Sequence, residues 1–467
     1  MRRHLALLLA ATALVAGCDL APRHVRPVGA VPATFPQSGS STQAAVDARD
    51  VTAIAWRDFF LDDKLRQVIA LGLENNRDLR VGAANVLQAR SQYRVQRADR
   101  FPTLDLSASH ESSRTPSTVE SGTILKTEAF SYDVGVSAFE LDFFGRVRNL
   151  SRAAFEQYLA TQEAQRSLRI SLIAEIGSAY LSLAADQALL DLARDTLESY
   201  RASLEVTRAR FSIGIVGELD IRQAETALEG ARGDVASLTT QVAQDRNALD
   251  LLAGAPVPTD LLPAPLDEAT LVLADLPANL QSSILLQRPD VIGAEHLLRA
   301  QEANIGAARA AMFPTVSLTA AFGGLSNALS NLFDGNAEAW NVTPTISLPL
   351  FDAGRRNANL RYSQASREAA VATYEKTLQT AFREVADALA LRGTISVQID
   401  AREKGTRSAV RAALLSDARY RSGVDNYLVT LDAQRTSYAA RQLLTATRLA
   451  RAQNLIQLYR SLGGGLQ

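Results

Sequence analysis

Few side chains in this chain of 467 residues are of the kinds that do chemistry: it has one cysteine, Cys18, and four histidines. A single thiol excludes a disulfide framework within one chain and a cysteine-based zinc site. His24, His110 and His296 are far apart in sequence, and His110-Glu111 lacks the second histidine of a helical zinc-protease motif. There is no Gly-x-x-x-x-Gly-Lys phosphate loop and no Gly-x-Ser-x-Gly nucleophile turn. An enzyme is therefore not the expected reading, and no cofactor or metal is expected. The 49 basic residues, 45 Arg and 4 Lys, are interspersed among 50 acidic ones, which excludes a nucleic-acid-binding surface.

Cys18 finds its use in its surroundings. Arg2, Arg3 and His4 precede an apolar run from Leu5 to Ala16, which ends Leu14-Val15-Ala16-Gly17-Cys18. That run is too short for a spanning helix, which needs about 20 apolar residues, and fits a signal-peptide core of about 7–15. Small residues directly before the cysteine resemble the bacterial lipobox, so residues 1–17 are expected to be removed and Cys18 to carry a covalent lipid. No later segment has about 18 consecutive apolar residues; any further membrane crossing falls to strands. Residues 18–50, rich in Pro, Ser, Gly and Ala, read as an extended lipid-anchored tether.

The elements that position everything else come in two copies. Arg210-Phe211-Ser212-Ile213-Gly214 returns as Arg419-Tyr420-Arg421-Ser422-Gly423, and Gly145-Arg146 returns as Gly354-Arg355, both offset by 209. The repeats are expected at 51–254 and 290–467, joined by a Pro-rich linker at 255–289. Each opens with a helix of about 23 residues (Asp78 to Arg100; Asp290 to Met312) followed by a strand pair within about 102–142 or 314–350. Phe130, Tyr132, Val134, Val136 and Ala138 alternate with Ser131, Asp133, Gly135 and Ser137, and Trp340, Val342, Ile346 and Leu348 alternate with Asn341, Thr343, Thr345 and Ser347. Period-two alternation with small polar partners is the pattern of a membrane barrel strand, and of a soluble sandwich. Ser112 to Thr123 and Gly323 to Gly335 are expected as outer loops.

A long helix follows each strand pair, at about 147–211 and 355–420, and a return helix follows that, at about 219–252 and 428–462. There is no proline from Ser117 to Ala255 or after Pro349. Leu172, Ile176, Ala179, Leu183 and Leu190, and Leu378, Phe382, Val385 and Leu389, keep the 3-4 spacing of coiled-coil contacts. Gly214 and Gly423 break the helices. The fold class is thus mainly α with a small β part. Two strand pairs give four strands, whereas a closed membrane barrel has at least about eight. Eight leave an interior filled by side chains, so a conduit points to three chains and twelve strands, with helices continuing the barrel as a tunnel.

Several strings resemble the TolC-like outer-membrane factor family, in particular efflux lipoproteins of the OprM and NodT type. They are Trp56-Arg57-Asp58-Phe59-Phe60, Asn75 to Arg80, Leu286-Gln287-Arg288-Pro289-Asp290, Ala294-Glu295-His296, Ala300 to Pro314 and Gly423 to Leu428. The resemblance implies a homotrimer in the outer membrane, contacting outer-membrane lipid and docked through a periplasmic adaptor protein onto an inner-membrane RND pump. It also implies that residues near Asp50 to Asp78, the linker and the C-terminus build an equatorial collar. By position it carries a pore constriction onto Leu428 and Asp432, four residues apart on one helix face. Three copies of Asp432 would form an acidic ring of the kind that favours cations; an acid near a helix N-terminus is also simply favourable there. Asp425 is a second candidate that could equally cap the return helix. Adaptor contact is expected at Gly214-Ile215-Val216 and Gly423-Val424, where glycine also serves the turn itself. A channel of the same fold serving type I protein secretion is the alternative; a soluble structural coiled coil fits neither the alternating strands nor the lipobox.

Overall fold

The computed structural model describes residues 19–36, 54–116, 124–266, 273 and 281–464. Cys18 and the expected signal peptide lie outside the described residues, as do residues 117–123 of the first expected outer loop and much of the linker. The elements in order are α1 (Trp56–Phe59), α2 (Asp63–Asn75), α3 (Arg77–Ala98), β1 (Asp105–Pro116), β2 (Ile124–Glu140), α4 (Arg146–Ser212), α5 (Glu218–Ala253), α6 (Pro289–Ala310), β3 (Thr315–Ser326), β4 (Glu338–Ser347), α7 (Arg355–Arg421) and α8 (Tyr427–Ser461). Both α4 and α7 have 67 residues, about 100 Å of unbroken helix each. Every helix expected from the sequence is present to within two residues at each end. The chain divides into two compact units, one of Asn85–Gln162 and Gly293–Tyr374 with the N-terminal segment to Pro27, the other of Val28–Ala84, Glu163–Ile292 and Glu375–Gln467.

In the first unit the four strands form one antiparallel sheet in the order β1-β2-β3-β4. Its register aligns Leu106 with Val134, Val134 with Phe322 and Phe322 with Trp340. These four are 76%, 48%, 60% and 72% exposed in the single chain. An apolar row this open loses about 1.5–3 kcal/mol per large side chain relative to burial, so the face is built for a medium other than water. On the other face Ser107 donates to Asp133 (2.7 Å), and the Ser109 and Ser131 hydroxyls pair at 2.8 Å.

Three expectations need correction here. The strands outrun the alternation read from sequence: β1 continues to Pro116, paired with Ile124, and β3 continues through Gly323 and Gly324 to Ser326. Strand thus takes the first residues of both expected loops. Ala138 does not continue the face of Val136; it takes φ +49° in a bulge, and pairing resumes at Phe139 opposite Leu318. One extra residue on one strand shifts the face by one, which alternation alone cannot reveal. The described part of the tether is extended but docked, fastened to α4 and α6 by Asp19, His24 and Arg26. Small residues let those helices approach: Ala153 of α4 meets Ala300 and Ala303 of α6, all nearly buried.

In the second unit α1 and the residue that follows it insert Trp56, Phe59 and Phe60 into the core, each at most 1% exposed. Phe59 stacks on Tyr459 with ring centroids 4.0 Å apart, and the Tyr459 hydroxyl donates to the Ile54 carbonyl (2.7 Å). Arg288, in the linker string Leu286 to Asp290, is buried between Asp290, Glu384 and the Ser461 carbonyl. The segments around residues 54–75, the end of the linker and the C-terminal helix thus pack together in this unit. Among the described residues one helix, α4, has an 18-residue window apolar enough by composition to cross a bilayer, and 61% of that window is buried, the signature of a core helix.

Candidate functional site: the turns at the ends of the long helices

Two turns of the same build end the long helices in the second unit. After α4, Gly214 N–H donates to the Phe211 carbonyl (2.9 Å) and Ile215 N–H to that of Arg210 (3.0 Å); after α7, Gly423 donates to Tyr420 (3.0 Å) and Val424 to Arg419 (2.9 Å). This is the Schellman closure, whose left-handed residue is Gly214 at φ +76° and Gly423 at φ +83°. Its consequence is exposed apolar tips: Ile213, Ile215 and Val424 are 71%, 63% and 62% exposed. Val216 is half-buried.

The expected constriction residues separate. Leu428 and Asp432 are both exposed on α8, one turn apart on the same face. Asp425 is engaged inside the turn: Arg419 grips it through Nε (2.6 Å) and a second nitrogen (2.9 Å). That hydrogen bond and charge hold the Asp425 carboxyl below its ordinary range. Nor does Asp425 cap α8; Asn426 does, accepting from the Val429 N–H at 3.2 Å.

A contact that sequence reasoning missed joins the two helix pairs. Tyr420, 1% exposed, lies in an apolar cluster with Tyr427, Leu431, Tyr200, Leu204, Ala224, Ala227 and Ala231. Its hydroxyl is 2.9 Å from Thr207 Oγ1. Because Thr207 spends its own proton on the Ser203 carbonyl (2.8 Å), Tyr420 is the donor. The Arg210 guanidinium sits 4.4 Å above the Tyr420 ring and donates to the Arg421 carbonyl (3.1 Å). Farther along, Gln434 donates to Ser203 (3.2 Å) and Tyr438 to Asp234 (3.3 Å). The α7–α8 pair is thereby latched to the α4–α5 pair by side chains of both repeats. A signal was present in the sequence: the repeat partner of Tyr420 is Phe211, which lacks the hydroxyl and is 45% exposed. Between α4 and α5, burial, the hydrogen bond that the protonated Asp186 carboxyl donates to Asp245, and the Asp245 charge push the Asp186 carboxyl up to about 7.

No cluster of three metal-ligating side chains occurs among the described residues. The model of the outer membrane efflux protein family matches residues 68–255 and 280–464, one segment for each repeat. The toluene efflux pump outer membrane protein TtgC of Pseudomonas putida is 45% identical over 98% of this chain and 95% of its own length. Outer membrane protein OprJ of Pseudomonas aeruginosa is 42% identical over 98% and 95%. Among solved structures, a membrane protein from Pseudomonas aeruginosa aligns with a TM-score of 0.88 at 40% identity, over 96% of this chain and 98% of its own. The open state of the Neisseria gonorrhoeae MtrE outer membrane channel aligns at 0.85 and 36%, over 96% and 99%. With four strands presenting an apolar row, two long helix pairs ending in matched turns, and these relatives along nearly its whole length, the chain belongs to the outer membrane efflux protein family, as an outer-membrane channel component of an efflux system.

Proposed function

We propose that three copies of this chain close a twelve-stranded barrel and form a conduit through which small toxic compounds leave the cell. The carrying observation is the sheet itself: four strands, with β1 and β4 as its two edges, and an apolar row running across all of them. Unpaired edges seek partners, four strands are too few to close, and three copies supply a lumen lined by the Ser107 and Asp133 face. Relatives named for toluene and antibiotic efflux favour organic solvents and antibiotics as cargo, and favour efflux over type I protein secretion. Cys18 carries the lipid anchor. The apolar tips at Gly214-Ile215-Val216 and Gly423-Val424 receive a periplasmic adaptor, which couples the channel to an inner-membrane RND pump.

Leu428 and Asp432 form the constriction at the closed end, and Asp425 shapes the turn that presents them. Opening requires the α7–α8 pair to leave the α4–α5 pair, so the Tyr420–Thr207–Arg210 contact holds the closed state. Deleting the gene and testing a panel of solvents, dyes, antibiotics and metals checks the export role: sensitivity to at least one class is expected, and unchanged susceptibility to all of them refutes it.

A further inference from the structure

The start of the described chain is strapped to the first unit by charge. Asp19 accepts from Asn149 (3.2 Å) and Arg152 (3.3 Å), and Arg309 donates to the Leu20 carbonyl (2.9 Å). Beyond them His24 lies between two carboxylates of α6, with Nδ1 2.9 Å from Glu302 and Nε2 3.1 Å from Glu295. The carboxylate side chains are 4% and 7% exposed, that of His24 21%. Burial works against ionising Glu295, but the Arg26 hydrogen bond, the Arg299 and Arg26 charges and the His24 contact prevail and hold its carboxyl below the ordinary range.

The two contacts of His24 present a proton count. A carboxylate only accepts, and a neutral imidazole has a single N–H. Two hydrogen bonds along Glu302–His24–Glu295 therefore need two protons, one more than a neutral histidine brings to two carboxylates, wherever the extra proton resides. We propose that docking of residues 19–27 takes up one proton at this bridge, making the N-terminal strap a pH-sensitive latch that acid fastens and alkali loosens.

The surroundings let the latch open without stranding a buried charge. Arg299 also donates to Glu295 (2.6 Å) and Arg367 of α7 to Glu302 (3.3 Å), so both carboxylates keep a partner when His24 departs. The groups facing the bridge are Arg26 on the strap, Glu295, Arg299 and Glu302 on α6, and Arg367 and Tyr374 on α7. Arg26, Arg299 and Arg367 oppose a further positive charge, but their side chains are 45%, 34% and 32% exposed and solvent-screened, whereas His24 lies between the carboxylates themselves. His296 is a built-in contrast: its Nδ1 makes one contact, to Glu156 (2.7 Å), which a neutral ring can satisfy.

The sign follows from linkage. The docked strap binds one more proton than the free strap wherever a free imidazole is neutral, above about pH 6.5, so its docking constant falls by up to about tenfold per pH unit there. The test is amide hydrogen exchange by mass spectrometry on the full chain in detergent, from pH 6 to pH 9, with protection of residues 20–26 corrected for the intrinsic rate. Wild type should lose up to about tenfold of protection per pH unit above pH 7. Glu302→Gln should stay protected and become flat, because its amide donates to Nδ1 while the one ring proton goes to Glu295. His24→Gln should also be flat, and it carries the comparison if Glu302→Gln unfastens the strap at every pH. A flat wild-type profile, or a wild-type slope retained in either variant, overturns the proposal.

Discussion

Tyr420→Phe tests the closed-state contact at a single oxygen. The substitution keeps the ring, and with it the Arg210 stacking and the packing against Tyr427 and Leu431, and deletes only the hydroxyl donated to Thr207 (2.9 Å). A buried hydrogen bond between neutral groups contributes about 1 kcal/mol net. If the three chains open together, the closed state loses about 3 kcal/mol, which at about 1.4 kcal/mol per decade is a shift of about 150-fold toward open. Arg210→Ala removes a cation–π contact and a charge-assisted bond to the Arg421 carbonyl (3.1 Å), about 2 kcal/mol per chain. It should therefore open the channel further than Tyr420→Phe does. The assay is single-channel recording of the purified protein in planar bilayers, comparing open probability and unitary conductance. Open probabilities of Tyr420→Phe and Arg210→Ala both within twofold of wild type would refute the reasoning that this contact holds the channel shut.

Other consequences are as direct. Asp432→Ala should reduce cation selectivity, read as a reversal-potential shift in a salt gradient, whereas Asp425→Ala, which breaks the Arg419 pair, should act mainly through the turn and leave selectivity near wild type. Asp186→Asn removes a carboxyl whose protonation midpoint is raised to about 7. The contribution of such a group to folding is fully present below the ordinary carboxyl value of about 3.8 and is lost as pH rises from there to about 7, so the variant should be more stable than wild type at pH 8 by on the order of 1 kcal/mol after allowance for solvent access, less so at pH 5, and matched to it below about pH 4. Gly214→Leu forces a β-carbon into a left-handed position at about 1–2 kcal/mol and should weaken crosslinking to the adaptor. Cys18→Ser should abolish labelling by radioactive palmitate.

How much of this was legible in the sequence depends on which interactions carry each feature. The helices were, because a proline-free run with 3-4 apolar spacing has no competing local solution, and the positive-φ glycines 214 and 423 mark where it must stop. Strand facing was legible as far as Val136, and failed at Ala138, where the bulge is fixed by pairing with β3 rather than by local pattern. The Tyr420 latch was hidden because its partners, Thr207 and Arg210, lie more than 200 residues away in the other repeat; only the Tyr-for-Phe difference between the copies hinted at it. His24 lies between Glu295 and Glu302, and no spacing rule links it to residues 271 and 278 positions away. The strings Trp56 to Phe60 and Leu286 to Asp290, which carry the resemblance, pack around Tyr459 and Ser461.

The central claim, a barrel closed by three chains through the free edges of β1 and β4, is tested most directly by disulfide crosslinking in outer membranes. Single cysteines placed at Ser107 and Ser109 on β1 would be combined in turn with cysteines at Asn341 and Thr343 on β4, and the products resolved on a denaturing gel. The account predicts that at least one combination gives a ladder ending at the covalent trimer, and that no single cysteine does. Products that stop at the dimer, or that extend past the trimer, would contradict it.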